Sequence, residues 1–226
     1  MTTGPEALPA SDARADPRPH RASGISAGLS VDDILDTAIA HIEAEGYETL
    51  TMRKLATTLT VTPMSIYRHV ANKNDLLSLV ADRYFSELTV PADTSDWQVY
   101  LREWFAQLHQ LMLAHPVLAH VMAEQPLDGP VAWKAAEHLI DVMVGHGFDP
   151  YVAGELFTTL LTYTIGFTLV RLGRSPGVDG VAAHPTEEMR SRYPRLASGL
   201  THYADWLSTG SFERGVRTFI QASELR

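Results

Sequence analysis

The stretch Leu50–Leu77, LTMRKLATTLTVTPMSIYRHVANKNDLL, decides the fold. It reads as two short helices joined by a tight turn, with the capped start of a third helix directly behind them. Thr51 is the N-cap of the first helix, and Leu55, Ala56 and Leu59 form its apolar stripe at spacings of three and four. After a break at Thr60-Val61, Thr62 caps the second helix, with Pro63 at the first helical position, where a missing N–H costs nothing. Ile66 and Val70, four apart, turn inward. That leaves Met64, Ser65, Tyr67, Arg68 and His69 facing outward or sideways. A helix of about two turns gains little from propensity alone, so one decorated in this way is built to touch something. This is the composition of a helix-turn-helix whose second helix enters a DNA major groove.

Working outward, the preceding segment is a helix with Ser30 as N-cap and Asp32 and Asp33 in its first turn, where carboxylates suit the helix dipole. Val31, Ile34, Leu35, Ala38 and Ile42 form its inner face, and Gly46 ends it. It packs behind the helix-turn-helix. The helix that follows starts at Asn72, with Asp75 as a capping-box-like partner, and runs through Leu76, Leu77, Val80, Tyr84 and Phe85. It begins beside the DNA and enters the rest of the chain, so it is placed to link the two. Residues 1 to 28, rich in Ala, Pro, Ser and Gly, read as a disordered tail. Arg14, Arg18, His20 and Arg21 give that tail a basic end suited to a minor groove, but Asp12 and Asp16 dilute it and favour a solvated tail.

From Trp97 onward the apolar period stays helical. Helices are expected near 97 to 114, 117 to 124, 130 to 146, 150 to 173, 186 to 203 and 212 to 224, with breaks at Pro116, Pro126, Gly147-Phe148-Asp149 and Ser175-Pro176-Gly177. No run alternates long enough for a strand. The chain reads as all-α: a three-helix DNA-binding domain over 29 to 75 and a larger helical domain over 76 to 226, to which the resemblance described below adds ligand binding and dimerisation.

Composition narrows the function. The chain of 226 residues has no cysteine, which excludes disulfides, thiolate catalysis and cysteine zinc sites and fits a reducing cytoplasm. A net charge of −9 argues against indiscriminate coating of nucleic acid. Over residues 29 to 75, Arg53, Lys54, Arg68 and Lys73 oppose seven acids, five of which (Asp32, Asp33, Asp36, Glu43, Glu45) lie in the helix before the helix-turn-helix. That segregation suits specific binding with a modest number of phosphate contacts. The N-terminus lacks a charged segment followed by an apolar one, the pattern of a secretory signal. The apolar run Val152–Val170 has a membrane-spanning length, but Glu155 and five threonines favour a helix buried on several sides, and no membrane partner is expected.

These residues together resemble the tetracycline-repressor (TetR) family of transcriptional regulators. The likeness covers roughly 30 to 88 and is most diagnostic at Ser65-Ile66-Tyr67-Arg68-His69-Val70, Lys73 and Asp75-Leu76-Leu77. A lower-specificity likeness to the C-terminal domain type of tetracycline repressor rests on Trp97, Leu101-Arg102, His146-Gly147-Phe148, the long apolar helix, Tyr193-Pro194 and Phe212-Glu213-Arg214-Gly215. The resemblance implies that Thr51 and Arg53 contact a base edge or phosphate, that Met64, Ser65 and Arg68 face bases, and that Tyr67, His69 and Lys73 bind phosphate oxygens. The chemistry agrees, because an Arg fork reads guanine whereas a phenol or an ammonium fixes position without reading sequence. One position departs: the turn residue usually filled by glycine is Thr60, where positive φ would strain a β-branched side chain by about 1–3 kcal/mol.

In such a family the large domain encloses a small molecule. Trp104, Phe105, Leu108, His109, Met112, Met122, Trp133, His138, Phe157, Leu161, Thr164 and Phe167 are candidates to line that cavity, against plain core packing for each. The histidines that the resemblance would assign to a tetracycline and its metal fall at Thr89 and near Met122, so neither is kept. His115, His120 and Glu124 lack a defined third metal ligand. The expected effector is a bulky, largely apolar organic molecule, with no metal and no cofactor. Dimerisation is expected through the helices near 150 to 173 and 212 to 224 as a four-helix bundle, with Ala153, Gly154, Thr158, Thr159, Thr162 and Gly166 permitting close approach.

The expected protein is a ligand-responsive, homodimeric repressor of a palindromic operator. The alternative is a small-molecule binding or carrier protein that keeps the fold without operator recognition, favoured by the acidic N-terminal segment and by Thr60. An enzyme is disfavoured: no nucleophile sits beside a base, and Glu137 and Asp141, four apart, read as a solvated face.

Overall fold

Ser30 opens the first helix, α1 (Val31–Glu45), with a full capping box: its hydroxyl accepts the Asp33 N–H while the Asp33 carboxylate accepts the Ser30 N–H. The computed structural model describes residues 28–89, 91, 95–124, 129–173 and 185–223. After a 3-10 turn (Tyr47–Thr49) come α2 (Met52–Thr58), α3 (Pro63–Tyr67) and α4 (Lys73–Phe85). Ile34, Leu35, Ala38, Leu55, Ala56, Ile66, Val70, Leu76 and Leu77 are buried among these elements, so one small core serves α1 to α4.

The second half is helical throughout its described residues, with no strand among them. Its elements are α5 (Trp97–Ala114), α6 (Pro116–Glu124), α7 (Pro130–Gly145), α8 (Pro150–Leu172), α9 (Glu187–Arg192), α10 (Pro194–Leu200), α11 (Tyr203–Trp206) and α12 (Thr209–Ser223). Helix α8 is long and apolar enough to cross a bilayer, but it packs against α5, α6, α7 and α12. Its threonines fit that setting, because Thr158, Thr159, Thr164 and Thr168 donate their hydroxyls to carbonyls one turn back at 2.7–2.9 Å.

The expected helix over 186 to 203 is instead two short helices, α9 and α10, with α11 starting where it was expected to end. Pro194 has no N–H to continue α9, and Tyr193 before it takes φ −137°, ψ 58°, outside the helical region. The last helix starts at Thr209, three residues before the expected 212. Three expectations lie outside the described residues: the tail to residue 27 and the breaks at Pro126 and at Ser175-Pro176-Gly177.

Helix α4 joins the halves. It packs on α1, where Arg83 Nη2 donates to Asp32 Oδ1 at 2.7 Å, and on α6 and α7.

Candidate nucleic-acid interface and ligand core

The turn between α2 and α3 is a Schellman motif. The Thr60 N–H donates to Thr57 O at 3.2 Å and the Val61 N–H to Ala56 O at 2.9 Å, which places Thr60 at the left-handed position with φ +56°. The β-branched residue therefore adopts the conformation that glycine ordinarily supplies, and the turn keeps its geometry. Thr51 caps α2 by accepting the Lys54 N–H at 3.2 Å, which leaves its hydroxyl proton free to donate outward. Thr62 precedes Pro63 as expected, yet its hydroxyl pairs with the Ser65 hydroxyl at 3.0 Å rather than with a backbone N–H.

Buried Ile66 divides the exposed surface of α3 into two flanks. Met64, 67% exposed, and Tyr67, 46% exposed, lie on one. Ser65, Arg68 and His69 lie on the other, along a groove shared with Asp33, Asp36 and Thr37 of α1. Arg53 on α2 is exposed. Lys73, half-buried, donates its Nζ to Tyr47 O at 3.0 Å, so the ammonium is held at the N-terminus of α4. Asn72 caps that helix through the Asp75 N–H at 2.9 Å, and the Asp75 carboxylate reaches past it to the Ala71 N–H at 2.8 Å. Seven of the eight proposed DNA-contacting residues thus belong to α2, α3, their caps and the first turn of α4, and His69 follows directly on Arg68, the C-cap of α3.

In the larger half, Trp104, Phe105, Leu108, His109, Met112 and Met122 are buried on α5 and α6, with Thr164 buried on α8. Phe157, Leu161 and Phe167 of α8 are half-buried against the same core. Trp133 and His138 depart from the expected lining: Trp133 is 58% exposed and His138 is also exposed, because α7 turns Ala132, Leu139, Val142 and Met143 inward instead. His138 still touches the core edge-on, with its ring 5.7 Å from that of Tyr100.

His109 is the centre of a buried polar chain. Thr168 gives its hydroxyl proton to Thr164 O, so its oxygen accepts from His109 Nδ1 at 2.8 Å. Nε2 is then the unprotonated nitrogen, facing Arg171 Nη1 at 3.4 Å, and that nitrogen also donates to Thr209 Oγ1 of α12 at 3.0 Å. The ring stacks on Phe212 at 4.1 Å. Burial, and after it the Arg171 charge, lowers the His109 pKa to about 4, so the imidazole is neutral.

Three residues of this core were not singled out from sequence: Tyr100, Thr168 and Arg171. Tyr100 is fully buried and its hydroxyl has no hydrogen-bond partner among the described residues. Its signal was position, four residues before Trp104 on the inner face of α5; Thr168 likewise follows Thr164 by one turn. Thr89, where a drug-holding histidine would fall, gives both its N–H and its hydroxyl to Gln107 Oε1, at 3.2 and 2.7 Å.

His115, His120 and Glu124 are each engaged with a tyrosine. His115 stacks on Tyr84, His120 stacks on Tyr47, and Glu124 accepts the Tyr47 hydroxyl at 3.5 Å. Among the described residues no three His, Asp or Glu side chains gather as metal ligands.

One face of α8 is uncovered. Tyr151, Thr158, Thr162, Gly166 and Val170 are exposed along one stripe, beside exposed Phe219 of α12, whereas Ala153 is buried within the chain. At the α8–α12 crossing, a Cβ on Gly215 would overlap the Tyr163 ring, so that contact requires glycine.

Comparison with known proteins follows the same division. Residues 34–80 match the profile of bacterial regulatory proteins of the tetR family, and residues 90–221 match that of the tetracyclin repressor-like C-terminal domain. An HTH-type transcriptional regulator of Saccharopolyspora erythraea is 29% identical over 212 residues, 90% of this chain and 88% of the relative. The TetR family protein ActR of Streptomyces coelicolor, solved in complex with (S)-DNPA, superposes with a TM-score of 0.76 at 27% identity, covering 87% of this chain and 98% of ActR. BioQ bound to its natural double-stranded DNA operator superposes with a TM-score of 0.55 at 26% identity, covering 76% of this chain and 98% of BioQ.

Proposed function

The chain belongs to the TetR family of transcriptional regulators, and we propose that it is a cytoplasmic, homodimeric repressor that binds a palindromic operator and is released by a bulky, largely apolar organic molecule. The coarser part of this, a transcriptional regulator with a ligand-binding C-terminal domain, follows from family membership. DNA contacts are assigned to Thr51, Arg53, Met64, Ser65, Tyr67, Arg68, His69 and Lys73, and the ligand to the core around Trp104, Phe105, Leu108, Met112 and Phe157. The unpartnered hydroxyl of Tyr100 supplies a polar handle there. The exposed stripe of α8 with Phe219 supports the dimer.

The observation that carries this reading is α4. Its first residue, Lys73, is bound to Tyr47 O in the DNA-facing half, and Asp82 near its other end accepts the Ala132 N–H at the start of α7 in the ligand half. We place the boundary of the two domains inside this helix, at residues 75 and 76. An effector that shifts α7 tilts α4 and changes the separation of the two α3 helices in the dimer. Ligand and operator affinities are then reciprocally coupled, typically by about 1–3 kcal/mol.

A mobility-shift assay on the DNA flanking the protein's own gene tests the reading. A sequence-specific complex lost in Tyr67→Ala and Lys73→Ala supports it. A chain that folds and binds small molecules but retains no DNA fragment over competitor is a carrier, and the repressor reading then fails.

A further inference from the structure

Arg171, in the last turn of α8, is half-buried and is held in place by a single nitrogen. Its Nη1 donates to Thr209 Oγ1 of α12 at 3.0 Å and faces His109 Nε2 of α5 at 3.4 Å. A guanidinium carries five N–H donors in a planar fork, and the Nε–Nη2 edge, which matches a carboxylate, makes no hydrogen bond among the described residues. Both partners of Nη1 are neutral. No Asp or Glu among the described residues forms an ion pair with Arg171, although the chain has 27 acidic side chains against 18 basic ones.

An arginine extended into water needs no counter-ion. Arg171 is placed differently, because its Nη1 contacts hold the side chain against α5 and α12 and its charge reaches the neighbouring ring: burial first, and that charge second, lower the His109 pKa to about 4. The C-terminal dipole of α8 answers only about half a charge. The remainder calls for an anion, since charges withdrawn from water are ordinarily paired.

The apolar side of the same site is the ligand core. On α5, His109 follows Leu108 directly and Phe105 by one turn, and its ring stacks on Phe212 at 4.1 Å and meets Phe167 edge-on at 5.7 Å. Aromatic surface and an unused fork therefore share His109 as neighbour.

We infer that the effector is an aromatic carboxylic acid, whose carboxylate pairs with Nε and Nη2 of Arg171 while Nη1 stays on Thr209. This rests on the effector-binding reading above and narrows its largely apolar molecule to an acid. A phosphate monoester fits less well, because it brings close to two charges against one guanidinium and a neutral imidazole.

The test titrates the full chain with anthracene-2-carboxylate and with anthracene-2-carboxamide, which has nearly the same shape and no charge, reading binding from the fluorescence of each probe. The expected result is one saturable site per chain, with the carboxylate bound at least about tenfold tighter than the carboxamide. Arg171→Gln should bring the carboxylate down to the affinity of the carboxamide and leave the carboxamide within about twofold of its parent value. Arg171→Lys keeps the charge without the fork and should weaken the carboxylate at least about threefold, which decides the matter if the glutamine variant does not fold. Arg195→Gln, exposed on α10, should leave both probes unchanged. Equal affinity for the two probes, or an Arg171→Gln protein that keeps the preference, overturns the inference and leaves the ligand-binding reading standing. Equal weakening by Arg195→Gln overturns it by reducing it to diffuse charge. No saturable site for either probe overturns the inference and the largely apolar effector together.

Discussion

Asp82 of α4 caps a helix that is not its own: its Oδ1 accepts the N–H of Ala132, in the first turn of α7, at 3.3 Å. The residue at the N-cap of α7, Gly129, has no side chain to do this, and a Cβ there would overlap the Asp82 carboxylate. The glycine is required by the approach of α4. Asp82→Ala should cost about 1 kcal/mol, the usual loss of an N-cap, or about 2–4 °C in melting temperature for a chain of this size. Gly129→Ala should reproduce it by displacing the carboxylate, and the double variant should add little to either single one. Thermal denaturation of the three proteins checks this; additive losses would mean that the two residues act separately.

The chain Thr164–Thr168–His109–Arg171 predicts a pH dependence. The folded His109 pKa of about 4 lies below its ordinary 6.5, so the unfolded chain takes up this proton first as pH falls. Its contribution to stability is therefore complete above pH 6.5 and is lost progressively as pH falls toward 4. His109→Asn keeps a donor for Thr168 and removes the titration. Urea unfolding at closely spaced pH values should show a shallower acid-side decline in this variant than in the parent. An identical decline would place the sensitivity elsewhere.

Thr60, with φ +56°, holds the left-handed position of the α2–α3 turn without being glycine. An L residue there is strained by about 1–2 kcal/mol, and glycine gives back part of that gain through its freer unfolded chain. Thr60→Gly should therefore stabilise by roughly 1 kcal/mol while leaving operator affinity within about twofold, since both Schellman hydrogen bonds are backbone. A drop in melting temperature would show that the threonine side chain holds the turn by some other contact.

The exposed stripe of α8 gives a test of assembly. Thr162 lies at its middle, between Thr158 and Gly166. Thr162→Arg would bury a charge in a close helix–helix contact, at a cost of several kcal/mol. Sedimentation should then report a monomer that keeps its helical circular dichroism. A dimer that survives the substitution puts the interface on another face.

How much of this could be read from the chain depended on the distance over which each feature is written. The caps at Ser30, Thr51 and Asn72 and the positive φ of Thr60 each involve residues within about one turn, and the sequence places them correctly. The division of 186 to 203 at Pro194 is equally local, but the helical period runs on across it. The burial of Trp104 and Phe105 follows from α5's stripe, whereas Trp133 was placed inward for its apolar mass although it lies off the stripe Ala132, Leu139, Val142 and Met143. The Asp82–Ala132 and His109–Thr168 bonds join residues 50 and 59 apart. No helical period records such pairings, and the lack of a partner for the Tyr100 hydroxyl among the described residues is visible only once its neighbours are in place.

The two flanks of α3 predict a division of labour on DNA. Tyr67 presents a phenol 46% exposed and Lys73 an ammonium held at the start of α4, groups that fix position on phosphates. Arg68 presents a fork able to pair with guanine O6 and N7. Tyr67→Phe and Lys73→Ala should weaken cognate and mismatched operators by similar factors, and Lys73→Ala should lower the slope of log affinity against log salt by about 1. Arg68→Ala should instead cost about 1–3 kcal/mol on the cognate operator only, narrowing its margin over a site changed at one base pair. Fluorescence anisotropy over a salt series with both operators separates the two classes. Arg68 shares its groove with Asp33 and Asp36 of α1, and neither acid comes within ion-pair distance of its guanidinium. If Arg68→Ala weakened both operators alike and lowered the salt slope, Arg68 would belong with the phosphate clamps, and base reading would fall to Met64, Ser65 and Arg53.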